Sequence, residues 1–482
     1  MQTAFYGLLV SLLPWAVGVA MMYALLYQPK RWHVGQHLIV IGLGSYIGYV
    51  ILALTMYQLQ ARNLPVFSSW ILAWALAGVM ICWVIGQLGR YRLRLIPTTE
   101  TDFGREPKLT GPRWLILLLG SWLIAQVGFV VSEVALRPAT SWDSLVYWTR
   151  FTANFIEWQQ SDPTEGSIRL GRRHPSTIHL LNSWAAYAGQ INEGKTFLYA
   201  PWLALYAGLL LSAIGLTLKL SGNLALGLLV GILIASSPVI TAHAALAGYA
   251  DIWLAAGVFF SAAILALFNV SWKPTIAVIW IFIAISLTFI KSAGISYTVL
   301  LSGVALAAWG VSRSRLKWAT MAVLVVIIGI GYFYTTGFDT SILGYRLAFN
   351  PDSSSIRVGR YRGEISFTEL VVAAHNIWFA FIYNTSYFIA SLILLAAFLS
   401  VALHYGFWHQ FNPAYTLILG LALVLYVGLA QEFSGHFLTY SSPDRDTGLT
   451  RFSQGWFLVS ALLISYIIRA HSNMRNPDQN EN

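Results

Sequence analysis

Apolar runs about twenty residues long recur along almost the whole chain, and no other feature restricts the possible folds so strongly. A helix that crosses hydrocarbon needs about 20 such residues, because no water is present there to satisfy its backbone N–H and C=O groups. Runs of this kind lie near 5–27, 37–58, 67–88, 114–134, 198–218, 224–245, 252–270, 274–290, 295–311, 318–335, 380–403, 414–431 and 453–468, about 13 in all. The pattern predicts an all-α polytopic membrane protein. Composition agrees, since the chain is 57% hydrophobic and 10% charged, whereas soluble domains carry about 25% charged residues. A length of 482 residues would otherwise suggest roughly three soluble domains, and that division is set aside.

The net charge of +10 is spread over many short loops and forms no single stripe, which argues against nucleic acid as a partner. Lys and Arg instead report topology, because they accumulate on the cytoplasmic side of membrane proteins. Lys30 and Arg31 follow the first run, and Arg90, Arg92, Arg94, Arg105, Lys108 and Arg113 follow the third. Alternation then brings Lys219, Lys273, the Arg313–Arg315–Lys317 cluster and the Arg469–Arg475 tail to the same side. The expected orientation has the N-terminus outside and the C-terminus in the cytoplasm. The first run carries no basic stretch before it and no small-residue cleavage site, so it is expected to stay as a span. The single cysteine, Cys82, lies inside an apolar run and excludes an intramolecular disulfide.

This topology leaves three long polar stretches outside, at 135–197, 336–372 and 432–452. Structureless loops of that length are uncommon unless functional, and the Trp-rich first loop is expected to contain short interfacial helices. The organisation read from these runs is an N-terminal three-span section with its cytoplasmic loop (1–113), a membrane catalytic domain (114–470) and a cytoplasmic tail (471–482).

The chemistry-bearing residues gather in the outer loops. Trp142-Asp143-Ser144-Leu145-Val146-Tyr147-Trp148 sets one carboxylate among aromatics just beyond the fourth span, and Asp143 is the leading catalytic candidate. Its alternative reading is the N-cap of a short helix, a position Asp fills well. Further on, Arg169, Arg172, Arg173 and His174, followed by His179 and Trp184, form a dense cationic cluster where topology does not require one. Guanidinium forks suit phosphate, although ion pairing with Glu157, Asp162 and Glu165 would also account for the cluster. Tyr249-Ala250-Asp251 stands at the outer start of the seventh span, where Asp251 could face substrate or cap the helix. Lys291 is the only charge between Lys273 and Arg313. It sits at the outer end of one apolar run and before the next helix start, a location suited to phosphate as well as to snorkelling. In the last outer loop Arg445 and Arg451 precede the final span, and the middle loop adds Tyr345, Arg346, Arg357, Arg360, Tyr361, Arg362 and Glu364, a mix fitting a sugar or phosphate lid. No phosphate loop, dinucleotide fingerprint, nucleophile elbow or zinc-protease motif occurs.

Taken in order, Trp142-Asp143 with Tyr147-Trp148, His174-Pro175 followed by Leu181 and Trp184, Tyr249-Ala-Asp251, Lys291-x-x-Gly294 and Thr447-Gly-Leu-Thr-Arg451 resemble the GT-C superfamily of integral-membrane glycosyltransferases, over roughly residues 115–470. Two departures stand out: Ser292-Ala293 replaces the Asn-Glu of many relatives, and no tyrosine-proline pair follows His174-Pro175. The resemblance implies a bacterial inner-membrane enzyme. It would transfer a sugar, with inversion, from a polyprenyl-phosphate donor to an acceptor hydroxyl on a glycan, lipid or protein. It further implies Asp143 as general base, Lys291, Arg451, Arg172, Arg173 and His174 on the donor phosphate, and Asp251, Tyr249, Trp142, Tyr147 and Arg445 on the substrates. No metal or other cofactor is obligatory on this reading. Two alternatives are an O-antigen polymerase or ligase using lipid-diphosphate glycans, and a transporter or flippase of an anionic lipid or solute. The latter should show charges at mid-span and broken helices, whereas the charges here lie at the outer boundary.

Overall fold

The computed structural model describes residues 2–26, 34–62, 64, 78, 80, 83–84, 112–136, 177–188, 200–236, 238–245, 249–267, 274–291, 294, 297–298, 301–303, 305, 332, 335–342, 345–353, 355–358 and 361–364. The helices described along their length are α1 (Gln2–Leu26), α2 (Val34–Ala61), α3 (Arg113–Leu136), α4 (Thr177–Ala188), α5 (Ala200–Ser221), α6 (Leu224–Ala235), α7 (Pro238–Ala245), α8 (Ala250–Leu267) and α9 (Pro274–Ile290). Segments within α2, α3 and α5 are long and apolar enough to cross a membrane. The described part is a helical membrane protein.

Most of these helices fall where the hydrophobic runs predict them, with one division. The run at 224–245 is two helices, because Ser236 closes α6 with its N–H on Ile232 O and Ile234 O, and Pro238 opens α7. Proline has no N–H to continue a helical ladder but is preorganised for a first turn. Both α6 and α7 pack against α5 and α3, so the run is interrupted without leaving its neighbours. Ahead of α6, Gly222 takes a φ of 68° and Asn223 accepts a hydrogen bond from Leu226 N at 3.1 Å. This C-terminal glycine and N-capping asparagine turn the chain between α5 and α6 within two residues.

The centre of the bundle is α2, held by small residues on two sides. Toward α1, Gly44 and Gly48 lie against Gly18; toward α5, Gly35 lies against Gly215 and Gly42 against Gly208 and Ser212. Where lipid tails are as apolar as leucine, helices associate through close van der Waals contact, and small residues permit it. Both pairings are antiparallel, as the partners' numbers show. For α2 and α5 this is the relation that crossings at 67–88 and 114–134 would generate. Beside this seam a cluster of fully buried aromatics forms the core: Tyr46 and Tyr49 of α2, Trp202 and Tyr206 of α5, and Trp253, Phe259 and Phe260 of α8. Trp253 meets Trp202 and Tyr49 edge to face, with centroids 5.9 Å apart in each case, a geometry that aligns ring edges with ring faces. Tyr46 Oη reaches Ser286 Oγ of α9 at 2.7 Å, tying the α8–α9 hairpin to α2.

Two regions of the outer loops differ from the expectation. In the first loop, α4 is a core helix: Ile178, Leu180, Leu181, Trp184 and Ala185 are buried, and α4 packs on α2, α1, α5 and α9. Its polar residues are enclosed with the apolar ones, since Thr177, Asn182 and Ser183 are buried as well, so its neighbours cover both faces. In the middle loop the chain leaves the helical pattern at Gly337. It forms a four-stranded antiparallel meander, β1 (Phe338–Ile342), β2 (Tyr345–Asn350), β3 (Ser355–Val358) and β4 (Tyr361–Glu364), in sequential order. Apart from this one small sheet the described elements are helices, in keeping with the all-α expectation. The strands alternate polar and apolar residues with period two, the signature of a sheet with one buried face, and two-residue connections containing Gly344 and Gly359 join β1 to β2 and β3 to β4. Asn350 Oδ1 accepts from Asp352 N at 3.0 Å, an Asx turn that reverses the chain between β2 and β3.

Candidate functional site

Four helix ends converge at one corner of the bundle. α8 and α9 form an antiparallel hairpin of 18 and 17 residues. At about 1.5 Å per residue the two arms are of nearly equal length, so the residue at the start of one and the residue just past the end of the other arrive at the same level. Those residues are Asp251 and Lys291. Lys291 Nζ donates to Asp251 Oδ1 at 2.6 Å, and the side chains are only 9% and 13% exposed.

Local electrostatics favour both positions. Asp251 lies in the first turn of α8, where unpaired backbone N–H groups and the helix dipole stabilise a carboxylate, and Lys291 follows the last turn of α9, where the carbonyl end stabilises a cation. The backbone on each side is fixed. Lys291 N donates to Leu287 O at 3.3 Å, and Gly294 N donates to Lys291 O at 2.8 Å. A side chain at Gly294 has no room, since a Cβ would collide with the Leu287 carbonyl, and this explains the spacing of Lys291-x-x-Gly294. On the other arm, Trp202 Nε1 at the start of α5 donates to Tyr249 O at 3.1 Å. The Tyr249 ring stands edge-on to His243, centroids 5.2 Å apart.

The fourth end is α4. Thr177 Oγ1 donates to Phe289 O at 2.5 Å, two residues before Lys291, and Thr177 is the first described residue after Arg172-Arg173-His174-Pro175.

Of the residues picked out from sequence, the structure therefore joins Lys291 and Asp251 directly and sets Tyr249 beside them. Asp143, Trp142, Tyr147, Arg172, Arg173, His174, Arg445 and Arg451 lie outside the described residues. The Lys291–Asp251 contact was not expected, although equal arm lengths in a hairpin whose two outer ends carry opposite charges would have indicated it. Thr177 and Trp202 were also not anticipated; both act by anchoring backbone carbonyls next to the pair, and an isolated Thr or Trp carries no sequence pattern that reveals such a partner. A separate open cleft of about 580 Å³ lies on the meander, lined by Thr336, Asp339, Asn350, Ser355 and Arg357 among others.

Chemically, the corner offers a desolvated ammonium already paired to a carboxylate, at the mouth of an apolar bundle. Such a cation can accept an anionic oxygen in exchange for its carboxylate partner, and a carboxylate can accept hydrogen bonds from hydroxyls. No family model, curated protein or solved structure matches the chain.

Proposed function

We propose that the protein is an inverting glycosyltransferase of the GT-C type, moving a sugar from a polyprenyl-phosphate donor to an acceptor hydroxyl at the outer face of a bacterial inner membrane. The observation that supports this reading most is the buried Lys291–Asp251 pair at a corner where α4 arrives directly from the Arg172-Arg173-His174 segment. A transporter would be expected to keep its ionisable residues near mid-span, whereas this pair sits at helix ends.

In the proposed reaction Asp143 takes the acceptor proton as the hydroxyl oxygen attacks the anomeric carbon. The bond from that carbon to the phosphate oxygen breaks with its electron pair on the phosphate, and the configuration inverts. Lys291, with Arg451 and the Arg172, Arg173 and His174 group, stabilises the charge that develops on the departing lipid phosphate. Preorganised charge of this kind in a water-poor site is commonly the largest single contribution to catalysis. Asp251, Tyr249, Trp142, Tyr147 and Arg445 border the sugar and acceptor, and the reaction as written needs no metal.

The test is sugar transfer from a panel of radiolabelled polyprenyl-monophosphate sugars by membranes carrying wild-type protein or Asp143→Asn, with folding verified for both. One donor should be consumed by wild type and about 10²–10⁴-fold more slowly by the variant, the usual range for a general base. Equal consumption by both proteins refutes the assignment of Asp143. Consumption of lipid-diphosphate glycans alone replaces the reading with a polymerase or ligase.

A further inference from the structure

We propose that Asp251, besides bordering the substrates, is a resident stand-in for the donor phosphate, an internal anion that occupies Lys291 until a phosphate oxygen displaces it. The proposal rests on reading Lys291 as the phosphate-binding cation and adds a role for its partner.

Three features carry it. An isolated charge at this depth is strongly disfavoured, and a buried ion pair adds little stability over apolar residues of similar size, so the pair is better explained by a need for the cation than by a need for stability. The Asp251 oxygen 2.6 Å from Lys291 Nζ is an anionic acceptor of the same kind as a phosphate oxygen, held on an ammonium that has three donors to offer. The pair is also not sealed, because both side chains keep a residual exposure of 9% and 13%, while the backbone on either side is fixed by the Gly294–Lys291, Lys291–Leu287 and Trp202–Tyr249 hydrogen bonds. Exchange of partners then takes place between side chains, with the backbone held in place. The lysine and the aspartate balance each other's charge, and an incoming phosphate competes with Asp251 for the lysine. A neutral lipid has nothing to displace the carboxylate with, so the pair also sets a threshold that favours anionic headgroups.

The experiment measures binding of polyprenyl monophosphate to the full-length protein in nanodiscs, with polyprenol as the neutral control and inorganic phosphate as the free anion. Wild type is compared with Asp251→Asn, Lys291→Met and the double variant, each checked by size-exclusion profile and thermal unfolding. Asparagine keeps an acceptor oxygen and removes the charge, so Asp251→Asn should bind polyprenyl monophosphate about tenfold more tightly than wild type, the factor a charge-assisted hydrogen bond supplies. Lys291→Met should lose the phosphate-dependent part of binding, and the double variant should match Lys291→Met. Tightening for inorganic phosphate as well assigns the site to the anion alone, and tightening for the lipid only assigns it to the anchored headgroup; either supports the exchange. Equal or weaker binding by Asp251→Asn overturns it. A second measurement uses wild type only: the infrared difference spectrum on adding polyprenyl monophosphate should contain a carboxylate band that ¹³C-aspartate shifts, and its absence overturns the proposal even where Asp251→Asn does not fold. Neither readout involves sugar transfer, so failure of the glycosyltransferase reading is seen separately in the Asp143→Asn assay.

Discussion

Replacing Gly208 by alanine should separate α2 from α5 and destabilise the bundle, although alanine is the better helix former. A Cβ built on Gly208 would lie 2.7 Å from Gly42 O and 2.9 Å from Ser45 Cβ. Ordinary contacts between non-bonded heavy atoms are about 3.5–4.0 Å, so the two helices must move apart by on the order of 1 Å, or one must slide. A gap of that size forfeits about a quarter to a half of the dispersion energy of each affected contact. The affected surface is extensive, because fully buried Leu43, Tyr46, Leu205 and Leu209 lie along the same two helices. Overpacking of this kind costs about 1–3 kcal/mol, offset by up to about 1 kcal/mol for replacing a helical glycine. The matched control is Gly128→Ala on α3, where an added Cβ meets nothing within 4 Å and only the propensity gain remains. The two variants should therefore differ by about 1–3 kcal/mol, with Gly208→Ala below wild type and Gly128→Ala at or above it. Equilibrium unfolding in mixed micelles, followed by tryptophan fluorescence, measures the difference. If Gly208→Ala is as stable as Gly128→Ala, close helix packing at the α2–α5 seam is not what holds the centre of this protein together.

Two further substitutions test the corner where the helix ends converge. Gly294→Ala places a methyl group against the Leu287 carbonyl and should displace Lys291, reducing polyprenyl-monophosphate binding at least as far as Lys291→Met while leaving Gly128→Ala unaffected; retained binding would show that the turn geometry is dispensable. Trp202→Phe keeps an aromatic ring but removes the donor to Tyr249 O at 3.1 Å and part of a fully buried side chain, and should cost at least about 0.5–1.5 kcal/mol in the same unfolding assay, unchanged stability refuting the anchoring role of Trp202.

The periodicity of apolar residues was enough to predict that α1, α2, α3, α5, α8 and α9 exist and where they lie, because hydrocarbon forces each crossing segment to satisfy its own backbone and so makes the helix a local property of composition. The break at Ser236-Ser237-Pro238 is equally local, and follows from a residue without an N–H. The meander was written in the same terms, a two-residue alternation closed by Gly344 and Gly359, but a lone polar loop among long apolar runs draws attention to its charges before its period. What no local pattern contains is which segments touch. Glycines in α2 acquire meaning only when α1 and α5 stand against them, and α4 becomes a core helix only because α1, α2, α5 and α9 surround it. Asp251 and Lys291, forty residues apart, could each be recognised alone as a charge at a helix end. Their meeting at 2.6 Å is decided by the equal arms of the α8–α9 hairpin and by the neighbours that anchor it, since a pairing between distant residues is fixed by packing and chain reversal and not by the sequence around either one.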